Sequence, residues 1–145
     1  MLRTSYLLRS VFWQEIDTRD FPGTRVTVSE TRRWLRDQTL GAAPAPALDS
    51  AILALSELVT NSIVHSQSGQ SSDGRITVRL ARSAGALHVE VTDNGSSKSK
   101  PTVQLPTSTR SNGRGLLLVD QVVAFWGAHD GDKSRMMVWF LVDWA

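Results

Sequence analysis

Apolar positions recur with two different periods along this chain, and the switches between them mark out its elements. Residues 12 to 21, FWQEIDTRDF, alternate imperfectly and predict a first strand that ends at the Pro22-Gly23 turn. From Thr27 to Gln38 the period changes: Val28, Thr31, Trp34 and Leu35 fall at helical spacing, with Gly41 as the stop. The segment GAAPAPA, 41 to 47, reads as a connector, because two prolines two apart cannot continue a helix. A second helix is predicted from about Ala47 to His65, with Leu48, Ala51, Ile52, Leu55, Leu58, Val59 and Ile63 on one face.

After the polar stretch SQSGQSSDG the period drops to two. RITVRLA (75–81) and LHVEVTD (87–93) predict two strands joined as a hairpin by RSAGA. Residues 95 to 112 hold Ser, Lys, Thr, two prolines and few large apolar groups. That is long for an unstructured connection within a compact domain, and such loops are usually functional or disordered. LLLVDQVV, after Gly113 and Gly115, predicts a third helix. AFWGAH, the turn DGDKS and MMVWFLVDW predict a closing pair of strands. The order is strand, two helices, hairpin, loop, helix, hairpin. It points to an α+β, two-layer fold: a largely antiparallel sheet with helices packed on one face.

Composition narrows the class. A chain of 145 residues with 41% hydrophobic and 21% charged residues fits one soluble globular domain, 1–145. The net charge of +2 with a pI near 9.5 reflects a slight arginine excess without a dense basic cluster. A nucleic-acid-binding domain would rest on that pI alone. With no cysteine, disulfide and thiolate chemistry are excluded. Arg3 and Arg9 interrupt the first residues before a signal-length apolar run, and no stretch looks like the roughly 20 apolar residues of a membrane span. The expected location is the cytoplasm, with no membrane and no direct nucleic-acid partner.

Three short motifs carry candidate chemistry. Within ELVTNSIVH, Glu57, Asn61 and His65 stand at four-residue steps on the second helix. Polar residues belong on a face turned from the core, so spacing alone admits an ordinary wet stripe. Leu53 and Val64 share that side, however, so the face is not uniformly hydrophilic. A carboxylate and an amide one turn apart can orient a water and ligate a hard cation such as Mg²⁺. His65 reads as a helix-end hydrogen-bonding residue, since the sequence lacks the His/Cys cluster of a zinc site. Asp93-Asn94-Gly95 is a turn signal at a strand end. Equally, it is a carboxylate able to accept from an exocyclic amine, followed by a glycine that lets a flat ring approach the backbone. Gly113-Arg114-Gly115 is either a loop-to-helix junction or an anion site at a helix N-terminus. Lys98, Lys100, Arg110 and Arg114 supply cations around it.

In this order the three motifs resemble those of the GHKL (Bergerat-fold) ATP-binding superfamily, above all the small HATPase domains of bacterial anti-sigma-factor serine/threonine kinases. SELVTNSIVH is similar to the N box, DNG to the adenine-binding box and GRGLLLV to the glycine box, in a motif-bearing region of about 21–142. The resemblance implies a sheet with helices on one face and ATP·Mg²⁺ held between helices and a lid of about 95–112. It implies that Glu57 polarises the attacking nucleophile and Asn61 is the Mg²⁺ ligand. Asp93 would read the adenine amine, Gly95 would line the base pocket, and Gly113, Arg114, Gly115 and Leu116 would shape the phosphate end of the lid. It further implies phosphorylation of an anti-anti-sigma (STAS-type) partner, binding of a sigma factor, and homodimerisation.

One departure stands out. Where those small kinases usually carry a Gly-Lys-Thr-like step before a Val-Trp pair, this chain has Arg135-Met136-Met137. A hydroxyl near the adenine carboxylate is missing, and a methionine, Met137 in the first instance, would fill the base space or pack on the ring. Two functions follow: a protein kinase that uses ATP, or a catalytically weak module of the same fold that only sequesters a partner.

Overall fold

The computed structural model describes residues 13–65, 74–93, 111–130 and 135–144. Five strands and three helices follow one another as β1 (Gln14–Pro22), α1 (Val26–Thr39), α2 (Ala45–His65), β2 (Arg75–Ser83), β3 (Ala86–Asp93), α3 (Ser111–Val122), β4 (Phe125–Asp130) and β5 (Met136–Asp143). The sheet order is β1-β2-β3-β5-β4. All four pairings are antiparallel, so the sheet has no parallel member among the described strands. The α+β architecture expected from the two periods is the one observed.

Local signals account for the helix limits. Before α1, the Thr27 hydroxyl donates to the Pro22 carbonyl and so ties the first turn to the end of β1. At its far end Gly41 adopts φ +78°, a left-handed conformation suited to glycine, two residues past Thr39. Helix α2 starts at Ala45, two residues before the expected Ala47. Its first turn absorbs Pro46, whose missing N–H costs nothing there because first-turn amides have no intrahelical acceptor. The Leu48 amide already donates to the Pro44 carbonyl at 3.0 Å.

Strand alternation divides the sheet into two unlike faces. Ile76, Val78, Leu80, Leu87, Val89, Val91, Phe140 and Val142 point toward the helices. There they form one buried cluster with Trp34 and Leu35 of α1, Ala51, Leu55, Leu58 and Val59 of α2, and Val119 of α3. Contrary to expectation, one segment does meet the length and hydropathy of a membrane span: Ala45–Val64, 20 residues with mean hydropathy 1.4. It is the central helix of this core, and Ala51, Ala54, Leu55 and Val59 owe their apolar character to complete burial against the sheet.

The opposite face carries its own aromatic stack. The His88 ring lies against Trp139 at 5.5 Å and 23°, while Trp13 meets His88 edge-on at 5.8 Å. Trp139 in turn covers Gly127, its cross-strand partner.

Candidate functional site

Helix directions and strand register carry Glu57 and Asn61, Asp93 and the start of α3 toward one end of the fold. A cavity of about 300 Å³ is lined by Pro44, Ala47 and Ser50 from the start of α2, Val122 from the end of α3, and Val142 to Trp144 from the end of β5. The start of α2 therefore meets the end of α3, and the two helices run antiparallel. From there α2 with its end and α3 with its start both extend toward the opposite ends of the strands. There β3 finishes at Asp93, paired with Ile76 at the start of β2 and Met136 at the start of β5. Helix α2 contributes Glu57 and Asn61, β3 contributes Asp93, and α3 contributes its first turn.

On α2 the two polar residues occupy a flank. Ser56 is buried and accepts from Arg32 Nε of α1 at 2.6 Å, which places α1 on that side. At about 100° per residue, Glu57 lies further round and Asn61 roughly 40° beyond it. Ala47 and Ser50 bracket Asn61 on the wheel and line the cavity with Val122, so this flank faces α3. Both residues are half-buried, whereas the truly solvent-facing stripe is Leu53, Thr60 and Val64. Glu57 and Asn61 sit between core and water, where a side chain can reach a ligand held beside the helix without facing bulk solvent.

Asp93 is 7% exposed at the end of β3. It continues the inward-facing row Leu87, Val89 and Val91, so its carboxylate is on the helix side of the sheet. The register also corrects the expectation about the methionines. Met137 pairs with Thr92, on the outer face shared with His88 and Trp139. Met136 is the residue opposite Asp93 on the inner face. Both apolar phases of MMVWFLVD are available to a core, which is why the sequence did not separate them.

Helix α3 begins at Ser111, ahead of the glycines, so Gly113, Arg114 and Gly115 fall inside its first turns and not before it. Its leading amides, through Arg114, have no intrahelical acceptor, the arrangement by which helix N-termini receive anions. Leu116 is half-buried and packs against the core. The side chains of His65 and of 111–115, and the whole of Gly95, Lys98, Lys100 and Arg110, lie outside the described residues, as does the lid from 95 to 110.

Two features were not legible beforehand. Arg32 reaches 24 positions along the chain to Ser56, a contact that depends on how α1 crosses α2. His88 is buried on the outer face, and its pKa is lowered from 6.5 to about 4, first by burial and then by the nearby Arg79 cation. Alternation placed His88 opposite the core face, but nothing local showed the tryptophans that cover it.

Residues 21–140 match the family described as the Histidine kinase-like ATPase domain. The chain belongs to that family. Membership in this ATPase family implies ATP binding, which is the chemistry that an inward-facing carboxylate at a strand end and an amide-bearing helix flank can serve. No curated protein matches the sequence. Among solved structures, the RsbU and RsbW domains of Rv1364c from Mycobacterium tuberculosis superpose with a TM-score of 0.65 at 18% identity, over 88% of this chain and 32% of that one. The chain thus spans about a third of that protein. The SiaB–SiaC complex from Pseudomonas aeruginosa gives a TM-score of 0.69 at 15% identity, over 97% of this chain and 95% of the matched chain. At these identities the likeness establishes the shared fold of this family of ATPase domains.

Proposed function

We propose that this Histidine kinase-like ATPase domain, 1–145, is a cytoplasmic regulatory protein that binds ATP with Mg²⁺. It uses them to phosphorylate a Ser or Thr of an anti-anti-sigma (STAS-type) partner and so governs a sigma factor. The reading is supported by the running directions of α2, β3 and α3, which carry Glu57 and Asn61, Asp93 and the first turn of α3 toward the same end of the sheet. The donor set fits the nucleotide. Asp93 accepts from the exocyclic amine of adenine, and its burial favours a specific partner over water. Asn61 offers an amide oxygen to Mg²⁺. The leading amides of α3, with Gly113, Arg114, Gly115 and Leu116, hold the phosphates, while Gly95 gives the ring room beside the backbone.

ATP, when bound, supplies the phosphoryl group. Glu57 orients the partner's hydroxyl and takes its proton as the oxygen joins phosphorus and ADP departs. Positioning and charge neutralisation are what the protein adds to such a transfer. One structural neighbour, the SiaB–SiaC complex, is an assembly of two proteins, which supports a protein partner for this chain. Homodimerisation is part of the same reading.

A second reading, a weakly catalytic module that sequesters its partner, is favoured by one observation: an apolar side chain, Met136, stands across from Asp93 on the inner face. Calorimetric titration of ATP in Mg²⁺ separates the two. The enzyme reading expects saturable binding that Asn61→Ala weakens at least ten-fold and that then no longer depends on Mg²⁺. Absence of binding at millimolar ATP in both proteins would eliminate it.

A further inference from the structure

The antiparallel ladder between β3 and β5 sets Met136 directly across from Asp93. Cross-strand partners have Cα atoms about 4.5 to 5.5 Å apart and project their side chains to the same side. That side faces the helices, since Val91 and Val138, the next pair inward on the same phase, belong to or pack on the core. Asp93 is buried and Met136 half-buried, so the strand ends present a carboxylate and a thioether side by side at the margin of the core. A planar ring hydrogen-bonded to that carboxylate lies within reach of the thioether, because a methionine side chain spans more than the separation of the pair.

We propose that Met136 forms one wall of the base site, packing on the ring that Asp93 holds and selecting purines over pyrimidines. This inference rests on the ATP reading above. Asp93 alone reads an exocyclic amine, and cytosine offers one as adenine does. A carboxylate therefore separates adenine from guanine, whose corresponding position is a carbonyl, but not from cytosine. Ring area makes the second distinction. A polarisable thioether gains contact with a two-ring base that a single ring cannot supply, at about two- to ten-fold in affinity for one sulfur–aromatic contact. Met136 thus acts beside Asp93 as an apolar selector of size.

Titration of ATP, ADP and CTP in Mg²⁺ against purified variants tests this, with far-UV circular dichroism and thermal melting to confirm folding. Met136→Ala should weaken ATP and ADP by about two- to ten-fold and narrow the ATP-to-CTP ratio by a similar factor. Met136→Leu, of similar volume but without the sulfur, should fall between Met136→Ala and the parent. Met137→Ala, on the outer face, should leave the ratio unchanged. The proposal is overturned if Met136→Ala binds all three nucleotides as the parent does, or if Met137→Ala reproduces its loss. Asp93→Asn distinguishes the two levels. If it abolishes ATP binding while Met136→Ala has no effect, only the selector fails; if the parent binds no nucleotide, the ATP reading fails and takes the selector with it.

Discussion

The imidazole of His88 makes a prediction about acid stability whose size follows from its surroundings. It is 8% exposed, stacked on Trp139 and crossed by Trp13, and its pKa falls from 6.5 to about 4 because burial and Arg79 disfavour the cation. The folded chain thus holds this group neutral, whereas the unfolded chain protonates it below about pH 6.5. Stability from the neutral ring is complete above the unfolded value and is lost as pH falls toward the folded one. Linkage between the two values gives a loss of about 2 kcal/mol near pH 5, rising to roughly 3 kcal/mol near pH 4. Urea unfolding at about pH 7 and pH 5, on the parent and on His88→Phe, measures it. The phenyl ring keeps a flat partner for Trp139 but cannot titrate. Its midpoint should be nearly level across the window while the parent's drops. An equal drop in both proteins would refute the argument, since the loss would then belong to other groups.

Two further stability predictions test the two faces of the sheet. A Cβ built on Gly127 would lie 2.8 Å from the Trp139 ring, so Gly127→Ala must displace the indole and should cost about 1 to 3 kcal/mol, read as a lower melting temperature. Leu55 is completely buried in the centre of α2, and Leu55→Ala should cost about 2 to 5 kcal/mol in urea unfolding. A cost well below 1 kcal/mol at Leu55 would contradict its place in the core.

The elements were legible because each segment's period agrees with its conformation. RITVRLA and LHVEVTD alternate, and Ile76, Val78, Leu80, Val89 and Val91 are indeed buried. Glu57, Asn61 and Asp93 could be singled out as candidates from local sequence alone. Illegible features share one cause: they depend on which residues meet across distant segments. Val138 to Val142 is apolar on both phases, so only pairing with β3 shows that Met136, and not Met137, stands with Asp93. Proline and glycine misled for a related reason. Their usual role as breakers lapses in the first turn of a helix, where Pro46 and Gly113 lie.

The amide of Trp144 donates to the Gly85 carbonyl at 2.9 Å, fastening the last described residue beside the β2–β3 turn. That junction is at the pole of the molecule away from Asp93. A reporter or affinity handle fused there stands at the far end from Asp93, so the protein can be immobilised by its tail without covering the proposed nucleotide site.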